Sequence, residues 1–273
     1  MVKYPMTSDT IFKKVLEDME IVSYVIELVT GLKLNPKDLM LLPQEINNNV
    51  DNKKSLLDVR VSYKEEYQIN LEMQKNKVVY SMIDRVIYYA DMMNVKGTPK
   101  GKDYLFKKII SICFIDFEDE KCRGYLEKYQ FQSEGMPYIK LDNKRIYIID
   151  MRKTREIDKW ELRRLIELMK DKEIEKYRED GDMMENISKA IEEANMDEVA
   201  AYNEMQRIKA ENDYNISMAI SREEGLAEGK KEGKKENQKE VVLAAHKTGA
   251  DVEFISKITN LSVSKVQEII FGK

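Results

Sequence analysis

The stretch LLDVRVSYKEEYQINLEMQ, residues 56–74, decides the fold. Apolar and polar residues alternate on either side of a short charged segment around Lys64, Glu65 and Glu66. A period of two marks a half-buried strand, because successive side chains point to opposite faces. A connection this short joins antiparallel neighbours. Leu57, Val59 and Val61 fall on one face of the first predicted strand, with Asp58 and Arg60 on the other. In the second, Ile69, Leu71 and Met73 oppose Asn70, Glu72 and Gln74. Pairing the strands with apolar faces aligned brings Asp58 to the side of Asn70, Glu72 and Gln74.

Outward from this hairpin, residues 78–97 read as a helix ending near Gly97. KKIISICFIDF, 107–117, is apolar on both alternations and suits a strand buried on both faces. GYLEKYQFQ (124–132) and KRIYIIDMRK (144–153) read as further strands. On the amino-terminal side, residues 6–31 read as one helix, capped by Thr7, Ser8 or Asp9, striped by Ile11, Val15, Met19, Val22 and Ile26, and ended by Gly31. DLMLLPQEI (38–46) reads as a short strand edged or interrupted by Pro43, and 47–55 as a loop. From about Asp158 the period becomes helical. This order predicts an α/β domain over 1–157, a charged helical region over 158–222, a linker or helix of recurring Glu-Gly over 223–240, and a small helical module over 241–273.

Composition narrows the chemistry. The formal charge of −4 excludes a polycation that holds nucleic acid by bulk attraction, so any such contact needs a local basic patch. Cys113 and Cys122 do not form a disulfide framework; Cys113, in its apolar run, reads as a small buried hydrophobe. No apolar run approaches the length of a membrane span, and the amino terminus carries no apolar signal segment. A soluble, reduced, cytoplasmic protein without membrane partners is expected. The only histidine is His246, read as a helix surface residue, which excludes His-rich metal sites and Ser-His-Asp chemistry in the main domain. Acid–base or metal chemistry there falls to carboxylates, lysine or tyrosine.

Two carboxylates on one sheet face repel each other, and burying them uncompensated is costly. Either cations such as Arg60, Lys64 or Arg85 pair with them, or the polar face is solvated, or they hold a divalent cation. Mg²⁺ favours hard oxygen ligands, takes one or two protein carboxylates and keeps several waters. In the metal reading Asp58 and Glu72 are ligands, with the Met73 carbonyl a third.

The stretch also resembles a known family. An Asp at the head of one strand, followed after a turn by Glu-x-Lys in the next, is the signature of the PD-(D/E)XK nucleases, and here Asp58 is followed by Glu72-Met73-Gln74. SDTIFKKV, KKSLLDVRV, INLEMQ, DRVIYYADMM and the late EGLAEGKKEGKKE, in this order, are similar to the Rpn family of recombination-promoting nucleases. The likeness runs from Met6 to Ile157 and more loosely through the tail. It implies a restriction-endonuclease-like core: a mixed central sheet flanked by helices and followed by a helical carboxyl-terminal tail. It implies Asp58 and Glu72 as Mg²⁺ ligands, with Mn²⁺ able to substitute, and hydrolysis of DNA phosphodiesters. A nuclease-like protein that binds DNA or assembles without cutting is the alternative.

Gln74 departs from the motif. Lysine there offsets transition-state charge; glutamine keeps hydrogen bonds and orients water but carries no charge. Asp9 reads as a helix-start acid, or as a further carboxylate near the metal, as the opening helix of such nucleases often supplies; Glu45 is a second candidate for that acid. Arg85, with Tyr88 and Tyr89 at helical spacing, offers a guanidinium suited to a phosphate. Lys96, Lys100 and Lys102 make a basic loop that is either simply solvated or reaches a DNA backbone. The period-four glycines Gly225, Gly229 and Gly233 make either a charged linker or a helix for self-association, so a homo-oligomer through the carboxyl-terminal helices is expected. Residues 241–273 read as three short helices, either resembling a helix-turn-helix with Asn260, Leu261 and Ser262 as the turn or forming a small protein-interaction or dimer module.

Overall fold

A computed structural model of the protein describes residues 1–46, 55–77, 82–97, 107–136 and 140–272. The chain opens with α1 (Asp9–Val15) and α2 (Met19–Thr30). Residues 6–31 are therefore two helices, not the single one expected. The break falls where Asp18 can start a new helix: its carboxylate accepts the N–H groups of Glu20 and Ile21 at 2.8 and 3.4 Å. Gly31 ends α2 in the left-handed region at φ 76°, as its position predicts.

The strands β1 (Leu39–Leu42), β2 (Glu45–Ile46), β3 (Ser55–Leu56), β4 (Val59–Tyr63) and β5 (Tyr67–Gln74) follow. Next come α3 (Met82–Gly97), β6 (Lys108–Ile115), β7 (Leu126–Gln132) and β8 (Lys140–Asp150). A six-stranded mixed sheet runs in the order β1-β4-β5-β6-β8-β7, and β2 pairs with β3 in a separate small ribbon. β4 and β5 form the antiparallel hairpin read from the sequence. β5, β6 and β8 are parallel, which places β6 between parallel neighbours at the centre. Pro43 directly follows β1, an edge strand, where its missing N–H costs no ladder bond.

Side-chain alternation sorts the two faces. Val59, Val61, Ile69, Leu71, Met73, Ile110, Ile112 and Phe114 enter the main core with α1 and α2. Cys113, Ile115, Ile146 and Ile148 meet Met82, Ile83 and Val86 of α3 on the opposite face. β6 is thus apolar on both sides because both are covered. Leu57 departs from the expected face: it packs with Ala90, Met93 and Ile109 on the α3 side, away from Val59 and Val61. Leu57 and Asp58 lie between β3 and β4, where the chain changes partner from the ribbon to the large sheet. The pleat does not run through that change.

The helices α4 (Trp160–Lys170) and α5 (Asp182–Met196) follow a short 3₁₀ turn. Their charged faces gave them the look of an appendage, yet Leu162, Leu165, Ile166, Ile187 and Ile191 are buried in the same core as the sheet. The Asn195 side chain accepts the Tyr4 N–H at 2.8 Å and donates to the Tyr4 carbonyl at 3.0 Å. At the start of α6 (Glu198–Lys247), buried Glu204 accepts the Thr10 N–H of α1 at 3.3 Å.

The chain divides into two compact units, 1–205 and 206–273. In the second, α6 continues through the Glu-Gly repeat, so those residues are helical. Glycine in a helix interior costs roughly 1 kcal/mol against alanine, and the Glu, Lys, Ala and Leu between the glycines carry it. α7 (Val252–Thr259) and α8 (Val263–Phe271) pack on the end of α6 through Val242, Ile255 and Val266. The first of the three short helices expected over 241–273 is thus the end of a long one. Asn260 makes the left-handed turn at φ 54°, and the Ser262 hydroxyl accepts the Lys265 N–H to cap α8. Among the described residues, no helix is long and apolar enough to cross a membrane.

Candidate active site

The β4–β5 ladder ends at the pair Val59 and Leu71, and Asp58 and Glu72 are the residues next beyond it. The two acids clasp each other through the main chain. Asp58 Oδ2 accepts the Met73 N–H at 2.9 Å. The Glu72 carboxylate accepts the Asp58 N–H, and its Oε1 accepts Asn70 Nδ2 at 3.2 Å. Each carboxylate therefore fixes the strand that carries the other.

Glu72 is 1% exposed. Burial first, and then the Asp58 charge, push its carboxyl up to about 8, against the pull of Arg85, Asn70 and the Asp58 N–H. Burial also raises Asp58 above the usual carboxylate range, although the Met73 N–H and the Lys13 ammonium oppose it and Asp9 adds to it. The ion pair with Lys13 does not reverse this, because taking the carboxylate out of water outweighs one partly exposed cation. In the absence of a cation both carboxyls therefore hold their protons more tightly than free ones.

Two cations border the pair. Lys13 Nζ of α1 lies 2.9 Å from Asp9 and 3.4 Å from Asp58. Burial lowers the affinity of Lys13 for its proton, but Asp58 and Asp9 together raise it above that of an ordinary lysine. Arg85 Nη2 of α3 lies 3.8 Å from Glu72. Of the cations weighed from sequence, Arg85 alone reaches the acids: Arg60 donates to the Pro43 carbonyl at 2.7 Å, and Lys64 pairs with Asp38.

Gln74, at the motif's third position, is engaged on both sides. Its Oε1 accepts Arg85 Nη1 at 3.0 Å, and its Nε2 donates to the Asn76 carbonyl at 3.0 Å. Arg85 is steadied further by Tyr89, whose hydroxyl accepts Nε at 3.1 Å and whose ring lies under the guanidinium. Tyr88 is exposed. Asp9 occupies the first turn of α1, and Ser8 at the N-cap makes no side-chain cap bond. Asp9 is thereby linked to Asp58 through Lys13. Lys100 and Lys102 lie outside the described residues, as do the side chains of Lys96 and Glu45.

Among the described residues, no group of three or more His, Cys, Asp or Glu side chains converges as metal ligands. A two-carboxylate set of hard oxygens fits Mg²⁺, which takes few protein ligands and retains water. The buried Glu72 carboxyl and the unpartnered buried Oδ1 of neighbouring Asn70 offer hard oxygens to a cation with its water shell. The cavity lined by Ile87, Tyr129, Gln130, Phe131, Lys144 and Ile146 includes neither acid.

Nothing in the sequence alone singles out Lys13 except its i, i+4 spacing from Asp9 inside SDTIFKKV. A family model described as PD-(D/E)XK nuclease family transposase matches residues 7–221. No curated protein and no solved structure matches the chain.

Proposed function

The chain belongs to the PD-(D/E)XK nuclease family transposases, and from that membership we propose that it is a Mg²⁺-dependent DNA endonuclease acting in recombination or transposition. Asp58 and Glu72 hold the cation, and Mn²⁺ substitutes for it. The single observation that carries this reading is the reciprocal clasp of these two acids, with Glu72 buried and its carboxyl raised to about 8. Buried groups poised this way cluster at functional sites, because folding alone gains nothing from them.

A divalent cation supplies Lewis acidity to a phosphodiester oxygen and lowers the pKa of water. The chain's own residues do the rest. Asp58, held by the Met73 N–H, and Glu72, held by Asn70 and the Asp58 N–H, keep their oxygens in fixed directions. Gln74 holds Arg85 beside Glu72, where its guanidinium binds a phosphate of the bound strand. The basic segment carrying Lys96, Lys100 and Lys102 adds backbone contacts that position DNA without reading its sequence. A homo-oligomer through the carboxyl-terminal helices belongs to the same proposal, and light scattering of the full chain tests it.

The deciding experiment is nicking of supercoiled DNA with Mg²⁺ or Mn²⁺, comparing wild type with Asp58→Ala. Cleavage by wild type that is lost in the variant supports the reading. DNA binding without cleavage under either ion points to the nuclease-like binding protein. Equal cleavage by both removes Asp58 from the site.

A further inference from the structure

The motif position that ordinarily carries a lysine holds Gln74, and both ends of that amide are occupied, one by Arg85 and one by the Asn76 carbonyl. It supplies no charge. Arg85 serves the Glu72 side, with Nη1 to Gln74, Nε to Tyr89 and Nη2 facing Glu72. On the Asp58 side the position is different. Lys13 reaches the carboxylate from α1 at 3.4 Å while Asp9, one turn earlier, anchors its ammonium at 2.9 Å. The adjacent Lys14 turns away, to Glu17 and Asp197. Lys13 is about a quarter exposed, so its side chain is not sealed in the core. An ammonium has three donors, and two carboxylates account for two of them.

We propose that Lys13 is the cation that Gln74 does not supply: a catalytic residue, delivered from the opening helix, that donates to a non-bridging oxygen of the scissile phosphate. This rests on the nuclease reading above and names a residue in it. In the step concerned, a water oxygen bonds to phosphorus and a P–O ester bond breaks. Its electron pair leaves on the sugar oxygen, which takes up a proton, and the attacking water's proton passes to solvent. Negative charge grows on the non-bridging oxygens meanwhile, and Lys13 is placed to offset it. Asp9 is a positioning residue that holds the lysine's head group.

This role has a signature that a merely structural lysine lacks. Lys13 and a divalent cation both draw on Asp58, so removing the lysine frees that carboxylate for the metal. Lys13→Met therefore binds Mn²⁺ several-fold more tightly by calorimetry, yet cleaves supercoiled DNA about 100-fold more slowly, the loss typical of one transition-state donor. Lys13→Arg keeps the charge and retains most of the activity. Melting temperatures measured in the same buffers identify a variant that fails to fold; for that case Lys13→Gln, with a polar head and no charge, gives the same comparison. Cleavage by Lys13→Met at the wild-type rate overturns this assignment and leaves the nuclease reading standing. Weaker Mn²⁺ binding by the variant overturns it too, since Lys13 then only shapes Asp58. Mn²⁺ binding by wild type without any cleavage overturns the nuclease reading, and the catalytic role of Lys13 with it.

Discussion

Gln74 Oε1 accepts a hydrogen bond from Arg85 Nη1 at 3.0 Å, so the side chain at the motif's third position faces a guanidinium. A lysine there would set two cations against each other and break a charge-assisted bond. Gln74→Lys, which restores the family's usual letter, is therefore expected to lower stability by about 1–3 kcal/mol in denaturant unfolding, the cost of losing a hydrogen bond to a charged group. It is expected to bring no gain in cleavage. A more active Gln74→Lys enzyme would show that Arg85 is not fixed by this contact.

Glu72 predicts a conflict between stability and function. Its folded carboxyl titrates near 8, above the ordinary value of 4.5. The folded state then binds more protons than the unfolded one between those values, so metal-free stability falls as pH rises from about 4.5 to about 8. Glu72→Gln removes the buried charge. Replacing buried charge can gain on the order of 1 to 4 kcal/mol, so the variant should melt higher than wild type at pH 8 in a chelator while losing cleavage. Mg²⁺ should raise the wild-type melting temperature by mass action and the variant's much less. Identical melting of the two proteins across this pH range would count against the charge at Glu72.

The acid limit of the first unit has a separate origin. Burial raises the Asp171 carboxyl, but Lys176 at 2.6 Å, the Glu173 N–H and the Tyr177 hydroxyl outweigh it and hold it at about 2. A carboxyl depressed in the folded state stabilises above its unfolded value, and that contribution is lost as pH falls from about 3.8 to about 2. Asp171→Asn should flatten the acid side of the stability profile without changing cleavage at neutral pH. Circular dichroism against pH reads both proteins; an unchanged acid limb rules out this cluster as its source.

Much of this architecture was legible in residues 56–74. Val59, Val61, Ile69 and Leu71 fix the register of β4 and β5 because a slip by one residue would turn apolar side chains outward. Gly31 ends its helix where the sequence places the stop, whereas the residues after Gly97 lie outside the described ones. Leu57 was not legible, since alternation holds only while a strand keeps its partners, and here the chain passes from one sheet to another. The break at Asp18 was hidden by an apolar stripe that continues across it. Lys13 was hidden for a different reason: its role depends on α1 lying beside Asp58, a contact between residues 45 positions apart that no local period encodes.

Leu165 tests the burial of α4 directly. It is fully buried in the core shared with the sheet. Leu165→Ala should cost about 3–5 kcal/mol and destabilise the sheet along with the helix, seen as a single shifted unfolding transition. A loss under 1 kcal/mol would mean that α4 is a dispensable appendage.

The hydrogen bonds of Tyr4 with Asn195 and of Thr10 with Glu204 join segments about 190 residues apart. On a ribosome, elongation at roughly 5–20 residues per second leaves the opening helix without those anchors for on the order of 10 to 40 seconds. Once residue 72 is made, and until residue 204 follows, the nascent chain carries Asp58 and Glu72 while α1, which bears Lys13, lacks those bonds. On the proposed nuclease reading, the cutting site would be assembled only after the residues around Asn195 and Glu204 have been made.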